Sequence, residues 1–254
     1  MTEDRSARAT AFGTVASDYN RYRPGPPPEV VEWLLSPGTT TAVDLAAGTG
    51  ALSRLLVGRV AEVLAVEIDH RMAAVLVQDV PGAAVVNGRA EAIPLRDASV
   101  EAVLVSSAWH WFDHQVAVPE IARVLRPGGV LGVIANRPSR SVHWVREVLH
   151  RGRDTRAGAG SEARGRGRHA VELPDGAPFG VPETTMIEWS LPRTPSELAG
   201  LAGTYSGVIT RPAAERLALA RRALHAVESH PLLRSKAVID LPMTCRCWKA
   251  TRLP

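Results

Sequence analysis

Between Thr41 and Ala135, short apolar runs alternate with helix-length segments, and this alternation predicts a parallel sheet built from βαβ units. The runs Ala42 to Ala47, Val63 to Glu67, Ala83 to Asn87, Val100 to Ser106 and Val130 to Ala135 are rich in β-branched residues or alanine, as strands buried on both faces tend to be. Ala51 to Gly58, His70 to Asp79 and His114 to Leu125 fit as the intervening helices. Ahead of them, Val30 to Leu35 has helical spacing and is closed by Pro37-Gly38. Beyond Ala135 the alternation fails. Ser141 to Arg151 reads as a helix, Thr184 to Leu191 as a strand, Glu197 to Ala202 as a short helix, Pro212 to Ser229 as a long helix and Val238 to Ala250 as a final strand.

The chain has 254 residues, 45% of them hydrophobic, enough for one sizeable core and not comfortably for two. No apolar run is long enough for a membrane span, and Met1 to Ser6 lacks the pattern of a signal peptide. With only Cys245 and Cys247 available for disulfides, the expected compartment is the reducing cytoplasm. The two cysteines stand two apart on a strand, hence on one face, with no histidine pair beside them. They read as sheet packing, and no metal is expected.

The net charge of +4 would suit a nucleic-acid partner if it were spread over folded elements. It is not. Six arginines against Asp154 and Glu162 place the whole excess between Arg151 and Arg168, in a Gly/Arg/Ala-rich stretch without stacking aromatics, so a solvated loop is expected there and a nucleic-acid partner is not. Such a loop could order when a substrate arrives.

The most informative stretch is Val43-Asp44-Leu45-Ala46-Ala47-Gly48-Thr49-Gly50, a strand running into a glycine turn and then a helix. Glycine lets backbone approach a ligand, and the helix start presents unpaired N–H groups and partial positive charge. The next strand ends in Glu67, whose carboxylate can accept hydrogen bonds from both hydroxyls of a ribose. Together these describe a nucleoside site. Gly48 to Ser53 also comes close to a dinucleotide fingerprint, but the acidic Asp44 before the turn and Ser53 in the last small position fit that alternative, an NAD-dependent oxidoreductase, less well.

These ordered motifs resemble the class I S-adenosylmethionine-dependent methyltransferases. Asp44, Ala46, Gly48 and Gly50 match the family's first motif, with alanine at 46 in place of its first glycine. Glu67 falls at the ribose-binding acid, followed by Ile68 and by Met72 beside the adenine. Gly88 to Leu95 is similar to the adenine loop, carrying over Ala90 and Glu91, and Leu125 to Leu131 to the turn into the fifth strand. The resemblance also covers Ala16 to Pro28 and Ala108 to Asp113, where it points to a subgroup acting on small molecules. It implies a Rossmann-like α/β fold: a seven-stranded, mostly parallel sheet with helices on both faces, an antiparallel edge, an N-terminal helical cap and a substrate-side insertion. The expected organisation is a single domain: cap 1–36, cofactor-binding core 37–136, substrate-side cap 137–210 with the loop 151–168, and final helix and edge strand 211–254. S-adenosylmethionine is the implied cofactor and a small molecule, in a setting such as secondary metabolism, the implied acceptor.

Several residues carry two readings. Asp44 either orients the cofactor's ammonium end or caps the following helix. Past the fourth strand, beyond Ser106 at the cofactor side, Trp109, Trp111 and Phe112 either form an apolar wall for the acceptor or seal the core. His110 is the candidate general base, or else packs and orients. Tyr19, Tyr22 and Arg23 either fold over the acceptor as a lid or pack on the sheet, and Trp144 is a further acceptor-side candidate. A different class also stays open: a protein of this fold that binds the cofactor without transferring methyl, for example assisting a cyclisation. Oligomeric state cannot be read from the sequence.

Overall fold

The computed structural model describes residues 13, 16–150, 171–205, 208 and 211–254, so the expected loop 151–168 lies outside the described residues. Helices α1 (Ala16–Tyr22) and α2 (Glu29–Leu34) precede the sheet. The alternating part follows as β1 (Thr41–Leu45), α3 (Ser53–Leu56), β2 (Glu62–Glu67), α4 (His70–Asp79), β3 (Ala83–Asn87), β4 (Val100–Ser106), a 3-10 turn at Trp109–Trp111, α5 (His114–Val124) and β5 (Leu125–Pro138). Then come α6 (His143–His150), β6 (Glu183–Arg193), α7 (Pro195–Gly203), α8 (Ala213–Ser229) and β7 (Ile239–Thr251).

The seven strands form one sheet in the order β3-β2-β1-β4-β5-β7-β6. β1 pairs in parallel with β2 and β4, β2 with β3, and β4 with β5. β7 runs against β5: Gly128 and Gly129 exchange backbone bonds with Arg252, while Ser139, further along β5, donates to Pro242, earlier in β7. The expected α/β fold with an antiparallel edge is therefore present. From β1 the chain winds outward through β2 and β3, then returns to the other side of β1 as β4. Ligands of open α/β sheets bind beyond the strand ends at such a reversal.

Two elements differ from the periodicity. α3 is half the expected length, because Ala51 and Leu52 are still in the turn and Val57 leaves the helix to bridge to Val60. β5 starts five residues early: Leu125 pairs with Val100, Arg126 to Gly129 bulge outward with Gly128 at φ 81°, and Val130 resumes opposite Ala102.

Contacts divide the chain into two compact units. One comprises described residues of 25–136, 169–187 and 245–254. Its core gathers Val43 and Leu45 of β1, Val103 and Val105 of β4, Val118 and Ile121 of α5, and Leu131 and Val133 of β5, with Trp248 and Ala250. In this unit Cys245 and Cys247 are buried, free thiols with their sulfurs 3.9 Å apart, packing on one strand face. The other unit comprises described residues of 1–24, 137–168 and 188–244, and buries Val145, Val148 and Leu149 of α6 with Leu198 and Leu201 of α7, Val227 of α8, and Leu241 and Met243 of β7. α7 starts with a full capping box: Thr194 Oγ1 accepts from the Glu197 N–H, and the Glu197 carboxylate accepts from the Thr194 N–H at 2.9 Å.

Candidate active site

At the end of β1 the chain turns through Ala46 at φ 59°, Gly48 at φ 59° and Gly50 at φ 82°, with the Gly50 N–H donating to the Ala47 carbonyl at 3.0 Å. Ala46, the departure from the family's glycine, adopts the left-handed backbone that glycine takes without strain. The alanine thus keeps the turn's shape at some cost in strain.

Asp44, 1% exposed, reaches past this turn to α3. One carboxylate oxygen accepts from the Ser53 N–H at 2.9 Å and the Ser53 hydroxyl at 2.7 Å, so Asp44 anchors the helix start behind the turn. Burial pushes its pKa up to about 7, against the Ser53 hydrogen bonds that favour the carboxylate and with the Glu67 charge adding to the rise. The sign of the consequence is fixed. Between pH 4 and 7 the folded chain holds a proton on Asp44 that the unfolded chain has lost, so this group's contribution falls as pH rises to about 7 and is constant above it, a swing of about 4 kcal/mol. Urea unfolding at pH 5, 6, 7 and 8 should show this slope, and Asp44→Asn should flatten it. An unchanged slope in the variant would place the titration elsewhere.

Glu67 closes β2 at 6% exposure, and both of its oxygens hold backbone: one accepts from the Gly48 N–H at 2.7 Å, the other from the Asp69 N–H at 2.8 Å. Burial raises its pKa, opposed by these N–H groups. The ribose-acid candidate and the glycine turn are thus joined directly. Ile68 is half-buried, and Asn87, at the end of β3, donates to the Glu67 and Ile68 carbonyls. Asp69 caps α4 through the Arg71 N–H and places Met72, 4% exposed, with its methyl 3.9 Å from where a Gly48 Cβ would stand.

The loop after β3 buries Ala90 and turns the Glu91 carboxylate to accept from the Asp113 N–H at 2.9 Å. It is clasped from α5: Arg123 donates to the Ile93 and Leu95 carbonyls, and Glu120 accepts from the Ile93 N–H. Sequence reasoning missed this clasp, whose one visible signal was a Glu-Arg pair three apart on a predicted helix.

Beyond Ser106, half-buried at the end of β4, Ser107 takes φ 60° and the aromatic segment divides. Trp109 and Phe112 are core residues, 5.9 Å apart and edge-on, and Trp109 stacks on His114 at 4.6 Å. Apolar bulk and neighbouring core side chains draw these two rings inward. The Trp109 indole N–H is buried and has no hydrogen-bond partner among the described residues. Trp111 is half-buried and lies 4.6 Å from the exposed ring of His110. The structure thus joins Asp44, Gly48, Gly50, Glu67 and Met72, and links Glu91 to the loop that carries His110 and Trp111.

Tyr19, Tyr22, Arg23 and Trp144 belong to the other unit. The Tyr22 ring lies against Gly200, Arg23 lies over Tyr19, and Trp144 is half-buried against the α6 to α8 core. Among the described residues no group of three or more His, Cys, Asp or Glu is arranged to hold a metal ion, and no helix is long and apolar enough to cross a membrane.

Residues 43–133 match a family model described as a methyltransferase domain. An uncharacterised methyltransferase of Mycobacterium tuberculosis is 40% identical over 252 residues, 99% of each chain. A malonyl-[acyl-carrier protein] O-methyltransferase of Methylococcus capsulatus is 43% identical over 103 residues, 38% of each. Among solved structures, a chain assigned as a type II methyltransferase of Anaeromyxobacter dehalogenans superposes with a TM-score of 0.63 at 25% identity, over 92% of this chain and 99% of that one. With the relative spanning the whole length and the reversal point built around the glycine turn and Glu67, the chain belongs to the class I S-adenosylmethionine-dependent methyltransferases.

Proposed function

We propose that the chain transfers a methyl group from S-adenosylmethionine to a small-molecule acceptor, with the donor held at the ends of β1 and β2 and the acceptor beside the loop after β4. The observation that carries this reading is the 2.7 Å bond between Glu67 and the Gly48 N–H, which fixes a carboxylate beside a glycine turn. The residues fit the donor. A Cβ on Gly48 would meet only the Met72 methyl at 3.9 Å, so the turn is open on the side a ligand would occupy. Each Glu67 oxygen has accepted one N–H and retains a lone pair for a ribose hydroxyl. Asp44, in its charged form, orients the ammonium end, while Ala46, Ile68, Met72, Ala90, Glu91 and Ser106 frame the rest.

When bound, the donor supplies a methyl group already activated on a sulfonium, so the protein's task is alignment and exclusion of water. His110 accepts the acceptor's proton on an imidazole nitrogen, and Trp111 beside it offers an apolar surface. The name of the Methylococcus relative specifies O-methylation of malonyl-[acyl-carrier protein], so a short acyl group carried on a protein belongs among the acceptors to be screened.

Calorimetric titration with S-adenosylmethionine, S-adenosylhomocysteine and NAD tests the reading: the first two should bind and NAD should not. Once an acceptor is found by screening for S-adenosylhomocysteine release, His110→Ala should lower turnover about 100-fold or more with little change in cofactor affinity. Equal loss of both would move His110 into the cofactor pocket. Tight binding with no release from any acceptor would favour a protein that holds the cofactor without transfer.

A further inference from the structure

We propose that Arg123 is a positioning residue that sets the donor site's preference for adenine over other purine bases, an assignment that rests on the methyltransferase function proposed above. Arg123 leaves the last turn of α5, and all five of its N–H donors are engaged. Nε donates to one Glu120 oxygen at 2.9 Å, and Nη1 donates to the Leu95 carbonyl at 2.9 Å and to Asp97 at 2.6 Å. Nη2 donates to the Ile93 carbonyl at 2.8 Å and to the other Glu120 oxygen at 2.9 Å. That second Glu120 oxygen also accepts from the Ile93 N–H at 3.0 Å. Asp97 is 78% exposed, so its bond adds little, and the grip that matters is on the two carbonyls and Glu120.

The gripped residues close a loop. The Leu95 N–H donates to the Ile93 carbonyl at 2.8 Å, which bends the chain tightly at Pro94. A Cβ on Gly88 would stand 2.6 Å from Pro94 Cδ and 3.1 Å from Val66 Cγ1, so the two ends of segment 88–94 meet against β2. At the entry, the Gly88 N–H donates to the Glu67 carbonyl at 3.2 Å. Between the ends, the Ala92 N–H returns to the Arg89 carbonyl at 3.1 Å and forms a turn that carries Ala90, 3% exposed, and Glu91, whose carboxylate is tied to the Asp113 N–H. One end of the loop thus rests on Glu67, the residue proposed to hold the ribose, and the other on Arg123. Adenine and hypoxanthine are nearly the same size and differ in which edge atoms donate and which accept. Telling them apart takes hydrogen-bonding groups held within a fraction of an ångström, because a loop free to shift re-forms bonds with either base. A lysine at 123 has one compact ammonium and no planar fork to span two carbonyls and a carboxylate.

The test is calorimetric titration of the full-length protein with S-adenosylhomocysteine and S-inosylhomocysteine, using Arg123→Lys, Glu120→Gln and Asp97→Asn beside the unaltered chain. The unaltered chain should prefer the adenine ligand by about 100-fold. In Arg123→Lys the preference should fall to about 10-fold or less, through weaker binding of S-adenosylhomocysteine with little change for the inosine ligand. Glu120→Gln is a milder change that should fall between the two, and it carries the test if Arg123→Lys fails to fold. Asp97→Asn should keep the full preference. Equal loss of affinity for both ligands would make Arg123 a brace of the fold and overturn the assignment. So would an unaltered chain without preference, or the same loss of preference in Asp97→Asn. Binding of neither ligand by the unaltered chain would overturn the methyltransferase reading itself, and the assignment of Arg123 with it.

Discussion

Glu67→Ala should lower S-adenosylhomocysteine affinity by about 10- to 100-fold and destabilise the fold by about 2 to 4 kcal/mol, the estimate for two buried N–H groups left unpaired and for lost hydrogen bonds to a charged acceptor. The two effects have separate origins. Stability falls because the Gly48 and Asp69 N–H groups lose the oxygens that hold them at 2.7 and 2.8 Å in a site only 6% exposed. Affinity falls because the ribose hydroxyls lose their acceptor. Glu67→Gln separates the two roles only in part, since the amide keeps one oxygen but turns an NH2 toward the second backbone donor. Calorimetric titration read beside urea unfolding distinguishes a ligand-binding acid from a brace for the turn. Lost stability with unchanged affinity would leave Glu67 as a brace alone, and the ribose would then have to be placed elsewhere.

The same residue shows why the site was only partly legible in the sequence. Its place at the end of β2 followed from an apolar run ending in an acid, a local pattern that survives folding because strand ends at the reversal point face the crevice. The helix and strand boundaries were legible for the same reason: α4, β3 and β4 have the predicted limits because burial, caps and breakers coincide there. What could not be read was which partners long-range folding would supply. That Glu67 would hold the Gly48 N–H, that Asp44 would hold Ser53 and that Arg123 would clasp carbonyls 28 and 30 residues earlier all depend on side chains meeting across the sheet. The aromatic segment shows the other limit. Trp109, Trp111 and Phe112 are equally apolar in sequence, and only the turn at Trp109–Trp111 decides which rings enter the core.

Three alternate positions of left-handed backbone, 46, 48 and 50, allow the turn's structural and binding roles to be pulled apart. Gly50→Ala should be the most damaging to stability. A Cβ there would stand 2.8 Å from Leu76 Cγ and 3.0 Å from Val80 Cγ2, side chains that are 0% and 3% exposed, at φ 82°. Backbone strain and forced repacking together come to about 3 kcal/mol, and the melting temperature should fall by roughly 6 to 12 °C. Gly48→Ala meets nothing closer than the Met72 methyl at 3.9 Å, so it carries only the strain of φ 59°, about 1 kcal/mol. Its new methyl group projects instead into the open side of the turn, where the donor is proposed to lie, so S-adenosylhomocysteine affinity should fall further than stability. Ala46→Gly reverses the sign. It relieves strain at φ 59° while loosening the unfolded chain, and those opposed terms leave stability within about 1 kcal/mol of the starting protein. Thermal unfolding and calorimetric titration of the three variants therefore form one comparison. If Gly48→Ala bound S-adenosylhomocysteine as the unaltered chain does, the open side of the turn would not be the ligand side, and Gly48 would be there for its backbone alone.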